Sequence, residues 1–517
     1  MKVTKLPAHL ADLVRKSDSM SSYLANLSVG RKATPHSWLY ENEDSNTTLE
    51  RWLPICEAAN LRHSPFGKEF NQFDRKQLSK FGPQGEVPSI ESREAQEVLE
   101  PLFSPSEFDD EDALSEYFSD CKLFAEELFG KRLMRARPLS LEATVDSMQS
   151  RDTLSTNSGF PRFARRSSVK AQEIQDALSG KAYEYPAIVL FRQYNGKLRP
   201  VWMYPMAMNL LELRFEQVAK QLIRTSKASW IREYVSPWSG YEDVKHTLTR
   251  QWPHAAPIVG GDTTKMDAHM RNAQMRLFYE IIKWAFQKSY WSDLYDAIMR
   301  TTCIPLLVSP TTWITDSHGL ASGAGFTQIS ETILTMFMAW KLGCSGQGIG
   351  DDFTWNVSLT AAEVVEYLGK FGLPANEEKQ EVGTEMLTFL QRMNRQGFFS
   401  REEPHVLGGY YPTIRALNSL LNPEKFHRPK DWSSDMFCVR CYMILENCVD
   451  DPCFVEFLKF VVHGQKDLIP FAKKSAQELS IIQQRARLIP GLSPTYTQSK
   501  REKPLSQFAS IKLAKEM

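Results

Sequence analysis

The feature that most limits the possible folds of this chain is a pair of adjacent aspartates, Asp351 and Asp352, in the segment GIGDDF. Like charges on neighbouring residues repel, so the pair destabilises a strand or turn unless a positive group lies close by. A divalent metal ion is the usual source of that charge. A Gly-Asp-Asp triplet also occurs by chance in surface turns, so a metal site here requires further acidic residues at the same place.

The upstream segment APIVGGDTTKMDAHM contains such acidic residues. Ile258 and Val259 predict a short buried strand that ends at Asp262, and Asp267 follows just before an amphipathic helix. If this strand pairs beside a hairpin that carries the aspartate pair, three carboxylates meet at one end of a small sheet. Oxygen ligands in this arrangement are typical of a site for two Mg2+ ions about 3.5–4 Å apart, the kind of site that catalyses phosphoryl transfer.

Length and the amino-terminal sequence narrow the class of protein. A chain of 517 residues is too long for one compact core, so we expect several subdomains with a cleft between them. It contains no apolar run of about 20 residues, and the segment MKVTKLPAHLADLVRKSDSM lacks the apolar core of a secretory signal. We therefore expect a protein that is not secreted and does not span a membrane.

The charge balance initially disfavours a nucleic-acid-binding protein, because Lys plus Arg equals Asp plus Glu at 62 each. The charges are nevertheless segregated along the chain. Residues 106–117 are acidic, whereas residues 130–138 and 162–170 carry four basic residues each. These basic segments are candidates for lining a nucleic-acid channel, and the alternative is an ordinary solvated surface.

Periodicity predicts an α+β fold. The segment AIVLFRQYNGKLRPVWMYP predicts two strands joined at Asn195-Gly196, a dipeptide that strongly favours a tight hairpin turn. Apolar residues at helical spacing predict several helices. These cover residues 207–226, 270–287, 330–341 and 360–371, and most of 409–490.

Four of the eight cysteines lie close together in the sequence: Cys438, Cys441, Cys448 and Cys453. A zinc site requires four ligands that converge tetrahedrally. The surrounding sequence is instead typical of an amphipathic helix with thiols on its apolar face, so buried free cysteines are the preferred interpretation and zinc the alternative.

The order Asp-x4-Asp, then Ser-Gly-x3-Thr before a helix, then Gly-Asp-Asp resembles motifs A, B and C of viral RNA-dependent RNA polymerases. Motif B corresponds to Ser322, Gly323 and Thr327. The remaining polymerase motifs follow in their usual positions. The sequence around Thr156, Ser158, Gly159 and Pro161 resembles the template-guiding motif G. Motif F is represented by Arg192, Lys197 and Arg199. Residues 376–379 resemble motif D, and residues 389–392 resemble motif E.

This resemblance implies a role for each residue. Asp262 and Asp351 are expected to ligate two Mg2+ ions, with Mn2+ as a substitute and Asp352 as a third, weaker ligand. Lys379 is expected to protonate the departing pyrophosphate. The cations Arg192, Lys197 and Arg199 are expected to hold the incoming triphosphate, while Asp267, Ser322, Gly323 and Thr327 contact the nucleotide.

The implied fold is a closed right hand with an antiparallel palm sheet and a mainly helical thumb. Residues 1–90 are expected to bridge fingers and thumb, residues 91–250 to form the fingers, and residues 251–400 the palm, with an inserted fingers segment near 288–318. Residues 401–490 are expected to form the thumb. Residues 491–517 are expected to form a mobile basic tail.

Chain length and the segment GGYYPTIRALNSLLNPEKF are most similar to polymerases of small double-stranded RNA viruses, picobirnaviruses first and partitiviruses next. This implies a monomer that binds RNA template, RNA product and nucleoside triphosphates, and also a capsid protein. The expected locations are the virion interior and the host cytoplasm.

One departure from the family concerns motif B, where an Asn usually stands four residues after the Thr and this sequence has Glu331. Asp267 is expected to bind the ribose 2′-hydroxyl, oriented by Gln328 or Glu331. Two other functions stay open at this point. A reverse transcriptase shares the three aspartates but usually has a bulky residue at position 267, and a non-catalytic RNA-binding, capsid-associated protein is the second alternative.

Overall fold

The computed structural model describes residues 1–150, 153–425, 427–489, 492 and 503–517. Helices account for most of its regular structure. In chain order they are α1 Ala8–Arg15, α2 Asp18–Asn26, α3 Ser45–His63, α4 Gly67–Arg75, α5 Arg93–Phe103, α6 Phe118–Phe129, α7 Leu141–Ser150, α8 Arg166–Leu178, α9 Met206–Arg224, α10 Ser229–Tyr234, α11 Tyr241–Gln251, α12 Met266–His269, α13 Asn272–Ile282, α14 Trp291–Met299, α15 Thr327–Leu342, α16 Ala361–Gly369, α17 Thr413–Leu421, α18 Ser434–Glu446, α19 Phe454–His463, α20 Leu468–Ala472, α21 Ala476–Arg487 and α22 Ala509–Lys515. No helix within these described ranges is long and apolar enough to cross a membrane.

The strands form three separate sheets between runs of helices, which confirms the predicted α+β class. In chain order they are β1 Val3–Lys5, β2 Ala187–Tyr194, β3 Lys197–Met203, β4 Ile258–Gly261, β5 Leu306–Leu307, β6 Thr312–Ile314, β7 Gly346–Ile349, β8 Asp352–Trp355, β9 Glu381–Gly383, β10 Met386–Phe389, β11 Arg392–Phe399 and β12 Leu407–Tyr410. They form a five-stranded sheet in the order β1-β6-β5-β2-β3, a four-stranded sheet in the order β7-β8-β4-β9, and a three-stranded sheet in the order β10-β11-β12. Every neighbouring pair of the four-stranded sheet is antiparallel, as the sequence predicts for the palm.

The predicted hairpin between β2 and β3 is confirmed. Its turn residues Asn195 and Gly196 both have positive φ, 50° and 68°, which is the conformation that a two-residue hairpin turn with right-handed twist requires. The hairpin shares its sheet with β5 and β6, although more than 100 residues separate them in sequence. Strand β1 completes the same sheet, since Thr4 pairs with Trp313.

Two large hydrophobic clusters fill the interior. The first joins the amino-terminal residues 6–27 with the helices and strands up to Leu373. The second is formed mainly by α17 to α22, and Leu39, Trp52 and Ala59 of the amino-terminal region pack into it. The first 60 residues therefore contact both clusters and tie the two ends of the chain together.

The predicted mobile tail differs from the structure where the structure describes it. Within residues 503–517, the side chains of Leu505, Phe508 and Ile511 are buried in the second cluster. Ser510 Oγ also donates to Glu446 Oε2 at 2.7 Å. The composition of the segment suggested a mobile tail, but its apolar residues recur at helical spacing and pack against α18. Residues 490, 491 and 493–502 lie outside the described residues.

The cysteine cluster is buried. Burial raises the pKa of the Cys438 thiol to about 12, and Cys441, Cys448 and Cys453 are likewise enclosed by apolar side chains. In the part of the chain that the structure describes, no three Cys, His, Asp or Glu side chains there are arranged to hold a metal ion. The cysteines of α18 contribute to the helical core.

Candidate active site

The four-stranded sheet brings the distant aspartates together. Strand β4 pairs antiparallel with β8 so that Gly261 lies opposite Phe353. Asp262 comes directly after Gly261, and Asp352 comes directly before Phe353. This register therefore sets the two aspartates side by side. Directly opposed residues of antiparallel strands lie roughly 4.5–5.5 Å apart. The strand pairing therefore brings Asp262 and Asp352 together at one end of the sheet, although 90 residues separate them in sequence.

A tight turn between β7 and β8 presents Asp351 beside this pair. Gly350 has a φ of +60°, and its N–H donates to Thr332 Oγ1 of α15 at 2.9 Å. A Cβ at this glycine would approach Glu331 Oε2 to 3.1 Å. Glycine is therefore required at position 350 for two reasons: its positive φ and the close approach of Glu331 on α15.

The carboxylates of Asp262, Asp351 and Asp352 lie close enough to repel one another. Burial is the main cause that raises the pKa of Asp352 to about 7, and repulsion from Asp351 and Asp262 adds to it. The pKa of Asp351 is also raised, chiefly by dehydration and also by Asp262, although the residue keeps contact with solvent. Arg199 opposes both shifts. A divalent cation between these carboxylates would relieve the repulsion.

The donor set fits a hard divalent ion, because all of its atoms are carboxylate oxygens. Among the described residues, however, no three such side chains are arranged to hold an ion by themselves. Mg2+ is commonly held by one or two carboxylates together with water and substrate phosphates. The arrangement fits ions whose coordination is completed by a bound phosphate ligand.

Lys379 lies at the edge of this site, with its Nζ 3.8 Å from Asp262 Oδ2. Its neighbour Gln380 fixes the backbone of Asp262 from both sides. Gln380 Oε1 accepts from Asp262 N at 3.2 Å, and Gln380 Nε2 donates to Asp262 O at 2.7 Å. Sequence reasoning missed Gln380 because a glutamine outside any motif gives no signal.

Asp267 and Glu331 form a second pair of carboxyls. Burial raises the pKa of Glu331 well above its ordinary value, and repulsion from Asp267 and Asp351 adds to the shift. The contact between the two side chains raises the pKa of Glu331 and lowers that of Asp267, which favours the proton on Glu331 as the donor to Asp267. Gln328, the other predicted orienting residue, is exposed and accepts from Lys220 Nζ at 3.1 Å instead.

The three predicted cations of the β2–β3 hairpin have different partners. Arg199 is the one that acts electrostatically on Asp267, Asp351 and Asp352. Its cross-strand partner Arg192 forms two hydrogen bonds of 2.7 Å with the carboxylate of Glu424.

Lys197 lies near Lys80 and lowers the pKa of that amine, although burial is the larger cause. A turn at Asn195-Gly196 predicts that Arg192 and Arg199 lie opposite each other on the two strands. It does not predict the ion pair between Arg192 and Glu424.

A further cation, Arg415 of α17, acts on Asp352. Arg415 lowers the pKa of Asp352 against the larger effect of burial, and its guanidinium lies 5.5 Å from the ring centre of Tyr194. Its Nε donates to Tyr411 Oη at 3.2 Å. Nothing in the pattern of the segment YYPTIRAL indicates that Arg415 lies near Asp352, which is 63 positions away in sequence.

The Gly-rich segment around residues 322–325 is seated on β3 and α9. Trp202 N donates to Ser322 Oγ at 3.4 Å, and a Cβ at Gly323 would lie 1.8 Å from Trp202 O, which only glycine permits. Thr327 begins α15, and its Oγ1 donates to Ala321 O at 2.9 Å. These three predicted residues therefore shape the loop that leads into the helix carrying Glu331.

The predicted template-guiding residues form a compact turn at the start of α9. Ser158 O accepts from Met206 N at 2.8 Å, and Gly159 has a φ of +68°. Thr156 Oγ1 donates to Thr153 O at 2.7 Å, and Pro161 is buried in the same turn.

The neighbouring basic segment partly serves the fold. Arg162 NH1 is 2.8 Å from Glu173 and 2.7 Å from Asp176, two carboxylates that are almost fully buried.

Comparisons with known proteins find one similar sequence and similar solved structures. The chain is 27% identical over 343 residues to a protein of human picobirnavirus (strain Human/Thailand/Hy005102/-) that is described as a potential RNA-dependent RNA polymerase. The match covers 60% of this chain and 62% of that relative. No known family profile matches the chain.

Two solved structures have the same fold. The crystal structure of the RNA-dependent RNA polymerase of a human picobirnavirus superposes with a TM-score of 0.78 at 20% identity, covering 99% of this chain and all of the other. Its insertion-loop deletion mutant gives 0.78 at 19% identity, with the same coverage. The fold is therefore that of a viral right-hand polymerase, and the predicted resemblance to picobirnavirus polymerases is confirmed.

Proposed function

We propose that this chain is an RNA-dependent RNA polymerase that copies an RNA template by nucleotidyl transfer and thereby replicates and transcribes a viral RNA genome. The observation that carries the proposal is the strand register that sets Asp262 beside Asp352, with Asp351 in the adjoining turn. Three carboxylates crowded at one sheet end destabilise the protein unless cations and a polyphosphate substrate complete the site.

The chemistry of this site depends on divalent ions. When bound by Asp262, Asp351 and Asp352, two Mg2+ ions, or Mn2+ in their place, supply positive charge to the attacking 3′-hydroxyl and to the departing pyrophosphate. Lys379, next to Asp262, gives a proton to that pyrophosphate. Arg199 and Lys197 hold the triphosphate. Arg192 also binds it, once its guanidinium leaves the carboxylate of Glu424 and contacts phosphate oxygens instead.

The sugar and the template are held by other parts of the site. Asp267 accepts a hydrogen bond from the ribose 2′-hydroxyl, and Glu331 holds Asp267 in place. Ser322, Gly323 and Thr327 shape the loop against the nucleotide and template. Residues 156–161 guide the template strand toward the site.

The division of the chain follows the right hand. Residues 91–250 are the fingers, 251–400 the palm and 401–490 the thumb, and residues 1–90 bridge fingers and thumb. Contact of residues 1–60 with both hydrophobic clusters supports the bridge, and the pairing of β5 and β6 with the β2–β3 sheet supports a fingers insertion near 288–318.

The partners follow from the reaction. The protein works as a monomer with RNA template, RNA product and nucleoside triphosphates. In a virus of this type, it also contacts the capsid protein and acts in the virion interior and the host cytoplasm.

The experiment is nucleotide incorporation by the purified protein on defined single-stranded and double-stranded RNA, with Mg2+, with Mn2+ and with chelator. The variants are Asp262→Asn, Asp351→Asn and Asp352→Asn, which keep the side-chain shape but remove the charge. The matched control is Asp146→Asn, an exposed aspartate on α7.

We expect metal-dependent incorporation of ribonucleotides by the unchanged protein and by the control, and background synthesis by the Asp262, Asp351 and Asp352 variants. Wild-type activity in all three variants would contradict the site. Preferred incorporation of deoxyribonucleotides would favour a reverse transcriptase, and RNA binding without synthesis would favour a non-catalytic RNA-binding protein.

A further inference from the structure

Helix α9 lies between two loops that are far apart in sequence. Residues 156–161 are named the template loop, and residues 322–325 the glycine loop. Glu212, a fully buried residue of α9, accepts a hydrogen bond from the Gly325 N–H at 2.6 Å through its Oε2. The glycine loop is thus held by a carboxyl that has no part in the chemistry described above.

One turn earlier on α9, Asn209 connects this carboxyl with the template loop. Its Nδ2 donates to Glu212 Oε2 at 3.2 Å and to Gly323 O at 3.3 Å. Its Oδ1 accepts from Arg166 NH2 at 2.8 Å.

Arg166 completes the connection from the other side. Its Nε donates to Asn157 O at 3.2 Å, and its backbone N–H donates to Thr156 O at 3.0 Å. A continuous path of hydrogen bonds therefore runs from the template loop through Arg166 and Asn209 to Gly323, and a branch through Glu212 reaches Gly325.

Burial makes this path sensitive to the position of either loop. Asn209 is 3% exposed and Glu212 is fully enclosed, so neither can exchange a lost partner for bulk water. A polar group that loses its partner in such surroundings is strongly disfavoured. Displacement of one loop therefore disfavours the arrangement that holds the other.

We infer that Asn209 and Glu212 are positioning residues that couple the template loop to the glycine loop and fix the spacing between template strand and nucleotide site. The inference rests on the proposed polymerase function for its consequence, because the two loops matter together only if a template passes between them. The coupling itself can be measured without any catalytic assay.

The direct test is hydrogen–deuterium exchange measured by mass spectrometry on the full chain. The variants are Glu212→Leu, which removes the acceptor for Gly325, and Glu212→Gln, which keeps an acceptor oxygen at that place. The matched control is Gln221→Ala, an exposed residue of the same helix.

We expect Glu212→Leu to accelerate exchange in residues 322–327 and also in residues 156–166, while Glu212→Gln and the control stay near the unchanged protein. Acceleration confined to residues 322–327, or none at all, would overturn the coupling. If Glu212→Leu does not fold, Asn209→Asp replaces it, since it has the same shape but cannot donate to Glu212, and the same two-loop pattern is expected.

The functional consequence is tested by primer extension with matched and mismatched nucleotides. We expect Glu212→Leu to lower kcat/KM for the matched nucleotide roughly tenfold or more. The ratio of kcat/KM between matched and mismatched nucleotides should fall as well. In Glu212→Gln both quantities should stay near those of the unchanged protein. An unchanged mismatch ratio in a folded Glu212→Leu protein would overturn the positioning role. An inactive unchanged protein would count against the polymerase proposal, whereas the exchange pattern decides the coupling by itself.

Discussion

The hydrogen bond from Glu331 to Asp267 gives a specific prediction about sugar selection. Glu331 is buried and Asp267 half-buried, and the contact between them raises the pKa of Glu331 and lowers that of Asp267, which favours the proton on Glu331. In the change Glu331→Leu, Asp267 loses its donor and its carboxylate is no longer held in one orientation. A hydrogen bond to a charged group contributes about 1.5–3 kcal/mol, which corresponds to a factor of roughly 10–150.

We therefore expect Glu331→Leu to lower kcat/KM for ribonucleotides by roughly 10- to 100-fold while that for 2′-deoxyribonucleotides changes little. Glu331→Gln keeps a donor and should stay within a few-fold of the unchanged protein, roughly the spread expected of a retained hydrogen bond. The control is Gln328→Leu, an exposed position on the same helix. The assay is single-nucleotide primer extension with paired ATP and dATP on one template.

The pH dependence separates this explanation from a steric one. Burial raises the pKa of Glu331 well above its ordinary value, so its proton is kept to higher pH than in a free glutamate and is lost as pH rises further. Loss of the proton removes the donor and leaves two carboxylates in repulsion. The ribose preference should thus decline on the alkaline side in the unchanged protein but not in Glu331→Gln. A Glu331→Leu protein with unaltered ribose preference would refute the reasoning.

Three further predictions concern other parts of the molecule. Glu424→Gln weakens the pair with Arg192, so the KM for nucleoside triphosphates should fall a few-fold in steady-state kinetics, and an unchanged or higher KM would contradict competition between Glu424 and phosphate. Arg162→Met leaves Glu173 buried without its cation and should lower the free energy of unfolding by about 3–5 kcal/mol in urea titrations. Burial raises the pKa of Glu212 from 4.5 to about 8, so its contribution to stability is complete below pH 4.5 and is lost as pH rises toward 8. Glu212→Gln should therefore gain stability relative to the unchanged protein by about 1.4 kcal/mol per pH unit in that window, and parallel pH profiles would count against this.

Much of the fold was predictable because its signals are local. The Asn195-Gly196 turn and the strands on either side follow from backbone conformations that those two residues favour. The helix that begins at Thr327 follows from a periodic apolar stripe behind a Gly-rich loop. In both cases the residues that determine the structure are neighbours in sequence.

The carboxy-terminal residues 503–517 differ from what their composition predicts. A mobile basic tail was predicted for residues 491–517, but in residues 503–517 apolar side chains at helical spacing pack into a core formed by other helices. Whether an amphipathic segment finds such a surface depends on residues far away in the chain. Sequence reasoning could identify its apolar face but not the surface that covers it.

The sequence by itself determined which residues carry charge and where strands and helices form, because these depend on residue type and local spacing. Only the tertiary structure decided that Arg415 faces Asp352, that Arg192 pairs with Glu424, and that Glu331 rather than Gln328 meets Asp267. The physical reason is that such contacts depend on strand register and helix orientation, which are set by the packing of the whole core.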